Sequence, residues 1–259
     1  MRKLKGQKGL SLVEVTIMLL VLMLLTSVLA PSIWDFVIDA QWVKVKEDCE
    51  ALGISVARFM RETPPCFSIN PNAGVGTRCT RANRADLLFG DGTTGALSAL
   101  APNYTGAAGN TAATVDNWDD VLAANADPLE DHLVRNIVGG VNWYPTPGQL
   151  GNLSIPGPLY GLGWRGGYLA GPIAPDPWGS RYEINTMFIA AASDPTANNQ
   201  EGYYGWDRDV FCISPGPNRT FQTPFHGCPP AGDAFGGPWT LGTCRGGDDW
   251  TYIIQGSTR

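Results

Sequence analysis

A single carboxylate, Glu14, lies inside an apolar run that opens at Leu10 and, from Val15 to Ala30, is broken only by Thr16, Thr26 and Ser27. A lone acid in such surroundings costs several kcal/mol, so it calls for a counter-charge. The second reactive set is six cysteines: Cys49, Cys66, Cys79, Cys212, Cys228 and Cys244. None forms a C-x-x-C pair, and only His132 and His226 exist to complete a zinc site. An even count in an exported chain therefore reads as up to three disulfides, with buried free thiols as the alternative. Three cysteines lie early and three late, so three bridges need at least one that joins the two clusters. No G-x-S-x-G, H-E-x-x-H, P-loop or dinucleotide fingerprint is present, and no enzyme is expected. Asn103-Tyr104-Thr105 and Asn218-Arg219-Thr220 fit a glycosylation sequon, a match frequent by chance.

The elements that hold these residues follow from composition and pattern. Charged residues are only 16% of the chain, while glycine (32), proline (20) and tryptophan (9) are abundant, which suggests a loop-rich, partly β domain. Arg2, Lys3, Lys5 and Lys8 precede Gly9 with no acid beside them; without that stretch 14 basic residues face 24 acids. A body so acidic gives no electrostatic footprint for nucleic acid. Counted from Leu10, the apolar run reaches about the 20 residues that cross a bilayer as a helix. The basic residues ahead of it hold that end in the cytoplasm and send the rest outward. An ordinary signal peptide and a simple membrane anchor compete with this reading. Three details argue against both: small Gly9 stands before the apolar run, Glu14 lies within it, and Pro31 follows it inside a pattern that stays helical on both sides. A proline there removes a helical hydrogen bond and is expected to kink or loosen the helix.

Lys8-Gly9-Leu10-Ser11-Leu12-Val13-Glu14 resembles the leader of type IV pilins and of the pseudopilins of type II secretion. The resemblance implies cleavage by a prepilin peptidase after Gly9 and methylation of the new amine. The mature chain then begins at Leu10, with Glu14 fifth and Pro31 twenty-second; the family's usual first residue is phenylalanine. Cleavage would place a charged amine beside an apolar helix whose nearest acid is Glu14. If helices stack with an axial stagger, Glu14 of one subunit meets the amine of its neighbour. A misplaced subunit leaves both charges alone at a cost of about 3–5 kcal/mol, which makes Glu14 a register device.

Beyond Pro31, Ile33, Trp34, Val37, Ile38, Trp42, Val45, Cys49, Leu52, Val56 and Phe59 recur at three-to-four spacing up to Glu62, where Thr63-Pro64-Pro65 stops the helix. The stripe reads as core packing. Residues 63–160 are poor in regular signals and read as a loop-rich surface insertion. Within it, Trp118 to Val138 suggests an amphipathic helix, with Asn117 as its cap and an acidic, solvated face. In the last third Asp176-Pro177-Trp178-Gly179 predicts a turn with positive φ at Gly179. Tyr182–Asn185, with an extension over Met187–Ala192, Asp209–Ser214 and Trp250–Ile254 predict strands, and Pro215–Asn218 a turn. The whole predicts an α+β pilin fold: a leader over 1–9, a spine helix over 10–62 with its membrane segment at 10–30, the insertion over 63–160, and a small antiparallel sheet over 161–259.

The tail resembles the major pseudopilin of type II secretion through Trp164-Arg165-Gly166, Asp176-Pro177-Trp178-Gly179, Ser214-x-Gly216 and Asp248-Asp249. That family binds one calcium ion in its last loop. The resemblance implies Ser214, Asn218, Asp248 and Asp249 as ligands, with Asn218 where an acid is usual and with a much longer loop. Calcium takes six to eight hard oxygens, which carboxylates, an amide oxygen and loop carbonyls supply. An exposed acidic turn is the bland reading of Asp248-Asp249. A Cys228–Cys244 bridge would brace the loop, with Cys66–Cys79 as its companion.

The resemblance further implies a homo-oligomeric helical filament, an inner-membrane assembly platform, and minor pilins or pseudopilins as partners. The precursor is expected in the bacterial inner membrane as a single pass, and the product as a periplasmic pseudopilus or extracellular filament. A surface pilus for adhesion, motility or DNA uptake, which alone would bring nucleic acid in as a partner, and a membrane-anchored binding protein that never polymerises are the alternatives.

Overall fold

The computed structural model describes residues 11–63, 85–90, 103–104, 118, 126–138, 141–142, 144, 146, 163–186, 189, 209–223 and 247–255. The chain divides into two compact units, Met1–Val43 and Lys44–Arg259.

The first unit consists, in its described part, of the first half of helix α1 (Leu12–Glu62), which takes in both sides of Pro31. Its unbroken leucine-rich run favours helix, and Glu14 in the first turn suits the positive end of the helix dipole. Four hydroxyls turn back onto the helix. Thr16 donates to the Val13 carbonyl, Thr26 to Leu22, Ser27 to Leu24 and Ser32 to Leu29, at 2.8, 2.8, 2.8 and 2.9 Å. Side-chain donors satisfied in this way are compatible with an apolar medium. The predicted core stripe needs correction here. Ile33, Trp34, Val37 and Ile38 are exposed, and the buried face begins only at Val45. These four residues have the right spacing, but they belong to the first unit, with its exposed apolar run.

The second unit takes the rest of α1. Val45, Cys49, Leu52, Val56 and Phe59 are buried in its core. Gly53 sits on the same face because a Cβ there would lie 2.7 Å from the ring of Tyr252, so its absence lets the aromatic ring rest on the helix backbone. A five-stranded sheet has the order β3-β1-β6-β7-β9, from Ala126–Pro128, Leu87–Phe89, Glu183–Ile184, Val210–Ser214 and Trp250–Gln255. Pairs β1–β6, β6–β7 and β7–β9 are antiparallel, whereas β1–β3 is parallel. The expected antiparallel sheet is thus a mixed one, because its last two strands come from the 63–160 segment rather than from the tail. Two small ladders complete the strands: β2 (Asn103–Tyr104) runs parallel to β8 (Thr220–Phe221), and β4 (Ile137–Val138) is antiparallel to β5 (Val141–Asn142).

All five residues of β7 are buried, so both faces of the sheet's longest core strand are covered. Side chains alternate along a strand. Cys212 meets Cys49 of α1, while Phe211 meets the Trp118 ring edge-on at 5.5 Å. Trp118 also lies against Phe221 and donates its indole N–H to the Thr223 carbonyl at 2.8 Å. Segment 63–160, expected on the surface, therefore supplies one of the largest buried side chains. Of the helix expected over 118–138, Ala126–Pro128 is instead strand β3 and residues 129–135 are helical, ending in a π turn at Asp131–Arg135, while 119–125 lie outside the described residues. Its expected solvated acidic face is also corrected: Glu130 is fully buried and accepts the Ile173 N–H at 3.3 Å.

Candidate functional site

Three groupings of polar side chains are candidates for a site. The first is the Glu14 region. Glu14 and every other residue from Ser11 to Ala40 is exposed, and the apolar members include Leu12 to Leu29, then Ile33, Trp34, Phe36, Val37 and Ile38. One helix, Leu12–Glu62, is long and apolar enough among the described residues to cross a membrane. Gly9 and Leu10, the predicted processing residues, lie outside the described residues. Pro31 lies inside α1; having no N–H, it leaves the Ser27 carbonyl without its usual helical donor.

The second grouping is the junction of two turns, 216–219 and 247–248, which carries two of the four predicted calcium ligands, Asn218 and Asp248, with Ser214 and Asp249 flanking it. Gly216, at φ 70°, makes this junction possible: a Cβ there would lie 2.5 Å from the Asp248 carbonyl oxygen. Asp248 accepts the Asn218 backbone N–H at 3.2 Å and is also bonded by the Asn218 side-chain amide. Asp249 points the other way. It is fully buried, and its Oδ2 accepts the N–H groups of Gln222 and Thr223 at 2.7 and 2.6 Å. Burial pushes its pKa up, and these hydrogen bonds oppose the rise. Ser214, also buried, donates to Asp176 Oδ2 at 2.8 Å. Neighbouring residues that lead into a strand diverge, so adjacent carboxylates do not share a target. Asn218 and Asp248 meet; Ser214 and Asp249 serve other partners. As arranged, the four do not fit a calcium cage, and no cluster of three or more His, Cys, Asp or Glu placed for a metal occurs among the described residues.

Asp176 was anticipated as a turn former, and its wider reach was not. Its Oδ1 accepts the N–H groups of Trp178 and Ser180 at 3.0 and 2.7 Å, and Gly179 adopts φ 88° as predicted. With Ser214 on its other oxygen, Asp176 locks the Asp-Pro-Trp-Gly turn onto β7. Burial raises its pKa against those hydrogen bonds.

The third grouping escaped the sequence reading. His132 Nδ1 lies 2.8 Å from Tyr144 Oη, and its Nε2 lies 3.1 Å from Asp127 Oδ2. A carboxylate–imidazole–phenol chain is a familiar means of moving protons. Here His132 is fully buried and Tyr144 is 1% exposed, so no substrate atom reaches either. Asn136 binds the Tyr144 backbone through both ends of its side-chain amide, at 2.9 and 2.7 Å. The chain therefore anchors β3, the π turn and Tyr144 to one another. The five-residue separation of Asp127 and His132 matches no helical or strand contact, so no sequence signal could have found it. Among the described residues, an open groove is lined by Thr146, Trp164, Arg165 and Gly166 and offers one guanidinium.

The disulfide candidates Cys66, Cys79, Cys228 and Cys244, and the helix cap Asn117, lie outside the described residues. No family model matches the chain, and no curated protein or solved structure matches it.

Proposed function

We propose that the chain is a structural subunit that polymerises into a helical type IV pilin-like filament, as the pseudopilus of a type II secretion system does. The observation that carries this reading is the exposed apolar face of α1 with one acid near its start. The predicted span, 10–30, satisfies a bilayer, but exposed Ile33, Trp34, Phe36, Val37 and Ile38 continue beyond it. Apolar surface outside lipid needs a protein cover, and copies of the same helix provide one. In that arrangement the amine freed by cleavage after Gly9 answers Glu14 of a neighbouring copy. Prepilin peptidase and an inner-membrane assembly platform are the partners this route requires.

The decisive experiment follows Glu14→Leu in cells that assemble the wild-type chain. The variant should reach the membrane in wild-type amount, and sheared or extracted filaments should disappear. Normal filaments from Glu14→Leu would overturn the proposal. A wild-type chain that extracts as monomers under all conditions would favour the anchored binding protein. Loss of a secreted enzyme on deletion separates a pseudopilus from a surface fibre.

A further inference from the structure

Cys49 is on the half of α1 that belongs to the second unit, and Cys212 is the middle residue of β7. Both are 0% exposed. Both thiols are free and belong to one core cluster. Cys212 shares a sheet face with Tyr182 and Tyr252; Tyr182 reaches Asp48 and Tyr252 lies against Gly53, on either side of Cys49 along α1, so two residues far apart in sequence are brought to the same place in the core. Cys212 is paired across the sheet with Ile184 on one side and Tyr252 on the other, which holds its strand in the middle of three antiparallel strands. Cys49 is one turn or less from Asp48, whose carboxylate accepts the Tyr182 phenol O–H at 2.9 Å. The pair also supplies what the sequence arithmetic demands, one member from the early cysteine cluster and one from the late.

We propose that Cys49 and Cys212 are a site of oxidative modification, an intrachain disulfide that ties α1 to strand β7 of the sheet. This rests on the reading that the second unit is exported, because the oxidant required is a disulfide-carrying oxidoreductase of the exported compartment. One cysteine thiolate attacks that enzyme's disulfide, giving a mixed disulfide and one released thiol. The second cysteine loses its proton, attacks the mixed disulfide at the substrate sulfur and releases the enzyme's other thiol. In sum two thiols lose two protons and two electrons, and the oxidant leaves as a dithiol. Closing the bond requires the two sulfurs, brought together by α1 and β7, to reach the S–S distance of about 2.05 Å. Burial, the Cys212 neighbour and the nearby Asp48 and Asp176 carboxylates all push the Cys49 thiol up, so thiolate is scarce once the core has closed. Exchange must then finish before α1 docks fully, and the finished bond is shielded from reductant until the domain opens.

The test uses the full chain in a bacterial host with an oxidising exported compartment. Free thiols are alkylated in denaturant at lysis, and an unreduced digest is mapped by mass spectrometry; protease added to spheroplasts locates the second unit separately. The expected result is a Cys49 peptide linked to a Cys212 peptide. Cys49→Ala and Cys212→Ala should each lower the unfolding midpoint in detergent by about 5–15 °C, with the double variant no worse than either. A protease-accessible unit with both cysteines alkylated overturns the disulfide and leaves the export reading intact. A protease-protected unit overturns the export reading. The same chain is then purified, reduced, unfolded and refolded in a glutathione redox buffer, where failure of these two cysteines to join overturns the disulfide as well.

Discussion

The first half of α1 and the unit that begins at Lys44 solve opposite problems. In the first, apolar side chains from Leu12 to Ile38 stand exposed while the hydroxyls of Thr16, Thr26, Ser27 and Ser32 are turned back onto their own backbone. In the second, carboxylates and amides such as Asp176, Asn185, Glu130 and Asp249 are buried and held by specific donors or acceptors. The helix half turns its hydroxyls inward and leaves its apolar surface exposed; the other unit covers its own chemistry. On the proposed function, partners would act where the molecule is left open, which is the apolar helix.

The comparison breaks most severely at Glu14. Glu14→Leu should reduce assembled filament on the order of 100-fold or more, corresponding to about 3–5 kcal/mol per subunit, and should leave thermal unfolding of the second unit unchanged. Quantitative blotting of sheared material, with calorimetry of the detergent-solubilised chain, checks both halves. The converse variant is Trp118→Ala. Removing an indole that is 1% exposed should cost about 3–5 kcal/mol in denaturant unfolding without altering membrane insertion. Next comes Gly53→Val, whose added atoms meet the Tyr252 ring and should cost about 1–3 kcal/mol.

A smaller effect separates the two regions by pH. Burial, first, and then the Asp48 carboxylate raise the Tyr182 pKa, and burial pushes Tyr168 up to about 12. The unfolded chain ionises its tyrosines from about pH 10, so the stability these two contribute is fully present below that pH and is lost as pH rises from there through the folded-state values, about 12 for Tyr168. Tyr182→Phe should cost about 1 kcal/mol at neutral pH and make the alkaline decline shallower, as chemical denaturation from pH 7 to 11 would read. The smallest effect expected is that of calcium. Because Asp249 and Ser214 are engaged elsewhere, millimolar calcium should move the unfolding midpoint by less than about 1 °C. A larger rise, abolished by Asp248→Ala, would give the resemblance priority over the geometry.

What could be read from sequence was whatever local chemistry decides. The stop at Glu62 is written in Thr63-Pro64-Pro65, and the turn after Asp176 in its proline and Gly179. Strands Val210–Ser214 and Trp250–Gln255 announce themselves through β-branched and aromatic residues. Ala126-Asp127-Pro128 contains two residues that strands avoid, and it forms one only because Leu87–Phe89 pairs with it. The ligand pair Asp248-Asp249 is implied by resemblance alone, whereas the backbone sends one carboxylate outward and the other into the core. Trp118, Asp127 and His132 acquire their roles from contacts distant in sequence, to which periodicity is blind.

The inward-turned hydroxyls of Thr16, Thr26, Ser27 and Ser32 have a mechanical consequence. From Val15 to Trp34 the helix has no ionisable group, and these hydroxyls grip nothing beside them. Two such rods laid side by side could slide lengthwise against little polar resistance, like a polished shaft in a sleeve. A shaft of that kind needs a key at one end to stop it turning freely through its positions, and the chain has placed a single acid there.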